Sequence, residues 1–239
     1  MWQPQLDAVP EGWRFIAPDL PGFGETDASR ARPGHAGESA GSIDDYAADV
    51  IDLIDHLHID TAVIGGVSMG GYVAFAMFRL APRYVAGLVL ADTRPQADTE
   101  EGRAGRRTMI DAVEKEGAPA VARLMLPRLI SDETARKQPA VGEALRVMME
   151  SATPGAIQTA IRHLMSRPDS TPDLDDIHCP TLIIVGEEDA LTPVADSQVM
   201  HRRIRGSILE IVLGAGHMAS LERPGIFNAA LVNFLTTRL

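Results

Sequence analysis

Cysteine is almost absent: the 239 residues contain one, Cys179. A single thiol excludes a disulfide framework and a cysteine-based zinc site, and it fits a reducing compartment. Basic residues are also scarce, with 22 Lys and Arg against 33 Asp and Glu, for a formal net charge of −11. Phosphate backbones are held by clustered Lys and Arg, so nucleic acid is a poor partner for this chain. No stretch approaches the roughly 18 apolar residues that a membrane helix needs. The opening MWQPQLDAVPEGW lacks the basic and apolar regions of a secretory signal. Together these absences predict a soluble, cytoplasmic protein with no nucleic acid and no membrane as partner. They set no oligomeric state.

What is present suits a packed domain. Apolar residues make up 45% and charged residues 23%, a balance that argues against disorder. The length is ample for one core, with or without an insertion.

Short apolar runs alternate with longer helical patterns, which predicts an α/β fold with a mostly parallel sheet flanked by helices. Strands are expected at 14–20, 61–67, 86–91, 181–185 and 207–213. Residues 28–41 are small and polar and read as a surface loop. Ser42 reads as an N-cap with Asp45 as its capping-box partner, opening a helix with Ile43, Tyr46, Ala47, Val50, Ile51, Ile54 and Leu57 on one face. A second helix is expected over 69–80, closed by Pro82. Pro224 opens a last one, with Ile226, Phe227, Ala230, Leu231, Phe234 and Leu235 on one face. Between these parts, residues 98–167 are helical in pattern and charged, divided at Gly117-Ala118-Pro119, Ser131-Asp132 and Thr153-Pro154. The predicted organisation is a core of 1–97 and 168–239 with a helical cap, or lid, at 98–167. The cap is placed over the C-terminal edge of the sheet, where open α/β sheets bind ligands.

The sharpest signal is Gly66-Val67-Ser68-Met69-Gly70, between a predicted strand and a predicted helix. A sharp turn from strand to helix strains the middle residue and projects the serine Oγ, and glycines on both sides allow the close approach. Helix N–H groups beside it favour negative charge, including that of a tetrahedral oxyanion. A serine nucleophile needs a base, and the base needs an orienting carboxylate. Asp189 follows the strand at 181–185 and His217 follows the last strand, so all three candidates sit at strand C-terminal ends. Their order, Ser68, Asp189, His217, is that of an α/β-hydrolase. Glu187, Glu188 and Asp92 remain alternative acids. His56, His58, His163, His178 and His201 read as surface or structural residues. No group has metal-ligand spacing, and Gly22-Phe23-Gly24 lacks the Lys-Ser/Thr of a phosphate loop, so no metal and no cofactor is expected.

The pieces APDLPGFGETD, IGGVSMGGYVA, LVLADTR, LIIVGEEDALTP and GAGHMASLERP, in that order, resemble the α/β-hydrolase superfamily. Within it the chain is most similar to lidded esterases and lactonases of the 3-oxoadipate enol-lactonase-like and carboxylesterase-like group. The resemblance implies Ser68 as nucleophile, His217 as general base, Asp189 as its partner and the Met69 backbone N–H as an oxyanion donor. It implies a serine hydrolase of small-molecule esters or lactones that works through an acyl-enzyme without a cofactor. The family's fold normally begins with two or three more strands, one ending in a His-Gly loop that supplies a second oxyanion N–H. Here the first residues resemble the helix after that loop, so 14–20 would be the family's fourth strand. Loss of one oxyanion donor costs about 10²- to 10³-fold in rate. A catalytically weakened or ligand-binding protein is therefore the alternative, beside a perhydrolase or C–C bond hydrolase using the same triad.

In the cap, Met109, Met125, Met148, Met149 and Met165 with Leu124, Leu126, Leu129 and Leu164 read either as a pliable acyl pocket or as ordinary packing. Arg123 and Arg128 are candidates for binding a substrate carboxylate.

Overall fold

The computed structural model describes residues 1–27 and 41–239. The loop read over 28–41 lies outside them, except for Gly41. In chain order the elements are α1 (Gln3–Leu6), α2 (Ile43–His56), β1 (Ala62–Val67), α3 (Met69–Leu80) and β2 (Val85–Ala91). Next come α4 (Glu100–Glu116), α5 (Ala118–Leu129), α6 (Asp132–Lys137), α7 (Pro139–Glu150) and α8 (Pro154–Ser166). Then follow β3 (Thr181–Gly186), α9 (Val194–Arg203), β4 (Ile208–Val212), α10 (Ala219–Glu222) and α11 (Pro224–Thr237). Among the described residues the strands form one parallel sheet in the order β1-β2-β3-β4. Its register sets Ala91 beside Val67 and Ile184, and Gly186 beside Val212. All four strands therefore end along the same edge.

Side chains alternate between the two faces of a strand, and both faces here are covered. Leu88, Leu90 and Ile183 meet Ala74 and Phe75 of α3, Met200 of α9 and Ile204 at its end. Val89, Ala91, Leu182 and Ile184 meet Phe227, Leu231, Phe234 and Leu235 of α11. All six residues of β3 are buried. Each large aliphatic side chain so placed stabilises the fold by about 1.5–3 kcal/mol relative to an exposed one, so a charge at Ile184 would be among the worst substitutions. Helix α2 lies on α3 through Ile43, Tyr46, Ala47 and Ile54. It starts as its sequence predicts: the Ser42 N–H donates to Asp45 Oδ2 at 2.6 Å, and the Asp44 N–H donates to Ser42 Oγ at 3.2 Å.

Three expectations need correction. Residues 14–20 form no strand among the described residues; Arg14, Ile16, Ala17, Pro18 and Asp19 are exposed, and only Phe15 and Leu20 are half-buried. A strand exists through its ladder, and this segment pairs with none of the four strands. Helix α9 did not stand out because it buries only Ser197 and Met200. Its polar surface hides the apolar period, although Pro193 just before it and the basic residues of its last turn are helix signals. The segment between β2 and β3 also divides once more than expected, at Gln138, where Pro139 opens α7. The Gly117, Ser131 and Thr153 signals all mark real breaks. Gly117 has φ +75°, and Ser131 and Thr153 accept from the Thr134 and Ala156 N–H groups. Among the described residues no helix is long and apolar enough to cross a membrane.

Candidate active site

Ser68 sits between β1 and α3 with φ 54° and ψ −111°. This lies outside the regions an L-residue ordinarily adopts, and such strain persists only where the surroundings impose it. The Ser68 N–H donates to Ala91 O at 2.9 Å, its carbonyl accepts from the Gly71 N–H at 3.0 Å, and Thr93 Oγ1 donates to the same carbonyl at 2.9 Å. The flanking glycines have distinct reasons. A Cβ at Gly66 would lie 2.1 Å from the Gly70 backbone, and one at Gly71 would lie 2.4 Å from Thr93 Oγ1. A Cβ at Gly70 would meet nothing within 4 Å, and its φ is not positive, so the room at this turn is required by Gly66 against the Gly70 backbone. Met69 is the first residue of α3, and the N–H groups of a helix's first turn have no intrahelical acceptor.

Asp189 lies just past β3. The Leu191 and Thr192 N–H groups donate to its Oδ1 at 2.8 and 2.9 Å, and the Thr192 hydroxyl donates to its Oδ2 at 2.6 Å. His217 follows β4, and its Nδ1 lies 2.8 Å from Asp189 Oδ2. Both side chains are buried. Burial pushes the Asp189 carboxyl up, but the hydrogen bond and charge of His217 and the Thr192 donors outweigh it and hold the group below the usual carboxylate range. With Asp189 ionised, the proton shared with the ring belongs on Nδ1, which leaves the Nε2 lone pair open. No hydrogen bond joins the Ser68 hydroxyl to the His217 ring among the described residues. Their neighbours Val67, Ala215 and Met218 belong to one buried cluster. Such bonds are often long in unliganded sites and tighten when substrate binds.

Backbone contacts brace these loops. A Cβ at Gly186 would lie 2.0 Å from Gly216 O. The Glu188 N–H donates to Ala215 O at 2.8 Å. Asp92, the alternative acid after β2, is fully buried at φ 44°, and its Oδ1 accepts from the Gly186 N–H at 2.8 Å. Burial pushes its carboxyl well above the usual range, against the pull of the Gly186 N–H and with help from the Asp189 charge. It holds β2 to β3 rather than the histidine. Glu187 and Glu188 are exposed, and Glu187 Oε2 accepts from the Gly214 N–H at 3.1 Å. Of the four candidate acids, the structure brings Asp189 to His217. Thr93 and Thr192 escaped the sequence reading because hydroxyls carry no motif there; the LTP that follows Asp189 was the available signal.

Of the other histidines, His56, His58, His178 and His201 are exposed. His163 is buried against the Tyr46 ring, 4.6 Å between centroids, and burial lowers its pKa despite Asp45 nearby. Among the described residues no group of His, Cys, Asp and Glu could hold a metal ion.

The helices between β2 and β3 meet the sheet edge through Leu126, Leu129, Ile130, Leu145 and Val141, which pack on the cluster that holds Val67 and Met218. Met109 and Met165 pack inside the segment, Leu164 packs against the α2–α3 cluster, and Leu124 and Met148 are exposed. Arg123 Nη1 pairs with Glu116 Oε2 at 2.8 Å on the surface, and Arg128 is exposed. At the base of the segment, Arg167 Nη1 lies 2.7 Å from Asp98 Oδ1, with both side chains at most 2% exposed. Arg106 Nε lies 2.9 Å from Asp98 Oδ2, and the Arg167 guanidinium stacks 4.3 Å from the Tyr72 ring centroid. The residues where the segment leaves and rejoins the core are thus clasped to each other.

Known proteins share this architecture. The α/β hydrolase fold family matches residues 1–224. A thermophilic esterase from Thermogutta terrifontis superposes with a TM-score of 0.90 at 36% identity, covering 98% of this chain and 84% of that one. The enol-lactonase from Burkholderia xenovorans superposes with a TM-score of 0.87 at 25% identity, over 98% of this chain and 85% of that one. The 3-oxoadipate enol-lactonase 1 of Acinetobacter baylyi is 27% identical over 229 residues, which are 95% of this chain and 80% of that protein. These likenesses support an esterase- or lactonase-like hydrolase. With a family match over nearly its whole length and a sheet whose strand ends carry Ser68, Asp189 and His217, this chain belongs to the α/β-hydrolase fold family.

Proposed function

We propose that this protein is a serine hydrolase of carboxylic esters or lactones, with Ser68, His217 and Asp189 as its triad. The observation that carries the reading is the buried 2.8 Å contact between Asp189 Oδ2 and His217 Nδ1, past the same sheet edge at which the strained Ser68 turn sits. Asp189 fixes the ring tautomer and stabilises the imidazolium that forms during reaction. His217 Nε2 takes the Ser68 proton as Oγ attacks the substrate carbonyl. The Met69 N–H at the start of α3 stabilises the oxyanion. His217 then returns the proton to the leaving oxygen, and an acyl-enzyme remains. Water attacks it with His217 again as base, releasing the acid and the serine.

Relatives named as an esterase and as enol-lactonases support ester or lactone carbonyls as the reacting group. In this reading residues 98–167 form the cap, and the partner is a small molecule; no cofactor, nucleic acid or membrane is involved. The single cysteine supports a reducing, cytoplasmic setting.

The test is hydrolysis of p-nitrophenyl acetate, butyrate and octanoate, with fluorophosphonate labelling on the same samples. Ser68→Ala is expected to abolish labelling, and Ser68→Ala and His217→Ala should each lower kcat by at least about 10⁴-fold. A folded wild-type chain that neither labels nor turns over any of the three esters would sink the proposal.

A further inference from the structure

Glu222 ends α10, five positions after His217, and is 1% exposed. Burying a carboxylate is costly unless its oxygens are well satisfied. Here each oxygen takes one backbone amide at 2.8 Å: Oε1 accepts from the Gly216 N–H, and Oε2 accepts from the Ser131 N–H. The two donors come from separate parts of the chain. Gly216 directly precedes His217. Ser131 is the N-cap of α6, in the segment between β2 and β3. Charge-assisted bonds to amides are shorter and stronger than neutral ones, and a carboxylate can accept one N–H on each of its two terminal atoms, whereas an amide side chain has an acceptor at only one of them.

The rest of the junction runs the same way. The Met218 N–H donates to Leu129 O at 3.0 Å, and the Ser131 hydroxyl donates to Gly214 O at 3.1 Å. The backbones are in direct contact, since a Cβ at Gly216 would lie 2.7 Å from Ser131 N. Residues 129–131 and 214–218 therefore form one clip, with the Glu222 carboxylate at its centre and His217 inside it.

We infer that Glu222 is a positioning residue for His217, holding the histidine loop in place by pinning it to the cap segment at Ser131. This rests on the triad proposed above. Any displacement of residues 129–131 is passed to the base through the two bonds of Glu222, beside the Met218–Leu129 and Ser131–Gly214 bonds, so the cap and the base move as a unit.

The experiment compares Glu222→Gln with wild type and with Leu174→Ala, which empties a buried core position away from these loops. Gln keeps the shape but sets an NH₂ against one of the two N–H donors. In samples shown to be folded by circular dichroism, Glu222→Gln is expected to lower kcat by about 10- to 100-fold, as misplacement of a catalytic group does. KM should stay within about threefold, because no substrate contact is lost, and fluorophosphonate labelling should slow in step with kcat. A kcat within about twofold of wild type, or an equal loss in Leu174→Ala, overturns the inference.

If Glu222→Gln does not fold, Ser131→Pro and Ser131→Ala decide the matter. Ser131 has φ −66°, and Ile130 before it is extended at φ −129°, ψ 154°, so the backbone accepts proline. Proline deletes the N–H and drives the carboxylate away, whereas alanine keeps the N–H and loses only the hydroxyl. A kcat about tenfold lower in Ser131→Pro than in Ser131→Ala is expected, and equal values overturn the inference. A wild type that fails to label would instead remove the triad reading itself.

Discussion

Strand β3 has six residues and buries all of them, whereas α4 has 17 and buries one, Val113. A contrast of another kind separates the strand-end loops from the helices between β2 and β3. At the edge, backbones touch: Gly66 meets Gly70, and Gly186 meets Gly216, at separations that leave no space for a methyl group. In the helical segment, the ends are set by single side-chain caps at Thr99, Ser131 and Thr153. Its faces carry exposed pairs such as Arg123–Glu116 and Lys137–Glu133. Geometry at the edge is dictated by atoms that cannot be exchanged, and in the segment by groups that can. Precise chemistry needs the first kind of control, and a surface that can vary needs only the second.

The largest effect is expected where the segment breaks its own pattern. Arg167→Ala would leave the Asp98 carboxylate buried without its closest cation and cost about 3–5 kcal/mol, read as a fall in the urea midpoint. A loss under about 1 kcal/mol would mean that Arg106 suffices to hold Asp98 and that the clasp is redundant.

Next come two identical changes in the two regions. Gly186→Ala pushes a Cβ against the Gly216 and Ala215 carbonyls and should cost about 1–3 kcal/mol by overpacking. Gly105→Ala, in α4 with nothing within 4 Å of the new Cβ, should stabilise by about 0.5–1 kcal/mol. Effects of the same sign and size in thermal melts would erase the contrast. Smallest of all is Arg123→Ala, whose pair lies on the surface with both side chains about half exposed; a change within about 0.5 kcal/mol is expected.

Acid separates the regions differently. Burial pushes the Asp98 carboxyl up, but the hydrogen bonds and charges of Arg106 and Arg167 prevail and hold it below its ordinary value. A depressed carboxyl contributes stability that is complete above the unfolded pKa of about 3.9 and is lost as the pH falls through the lower folded value. Stability of the wild type should thus drop steeply below pH about 4, and Asp98→Asn should flatten that slope. Asp92 has the opposite sign. Burial raises its folded pKa, so between the unfolded and folded values the folded state holds more protons and stability falls as the pH rises. Asp92→Asn keeps an acceptor for the Gly186 N–H and tolerates φ 44°, so it should cost less than Asp92→Ala and remove this loss.

Much of this was legible in the residues. The strands from 61 onward and the 69–80 helix were readable because each is bounded by local signals, and β2 and β3 are in addition buried almost throughout. Gly66 to Gly70 announced the turn because sterics at that turn admit few residues. Chain order and the resemblance pointed to Asp189 over Asp92, and the structure sets Nδ1 of His217 against the first and the Gly186 amide against the second. Residues 14–20 carried a strand's composition, but a strand depends on a partner elsewhere in the chain.

The sequence by itself determined the parallel α/β order, the elbow at Ser68 and the placement of three chemical groups at strand ends, because those follow from periodicity and chain order. The tertiary structure decided which carboxylate meets His217, that Asp98 closes on Arg167, and that Glu222 joins Gly216 to Ser131. The Asp189–His217, Asp98–Arg167 and Glu222–Ser131 bonds span 28, 69 and 91 positions. Hydrogen bonds act over about 3 Å, and a local pattern carries no distance between residues so far apart in the chain.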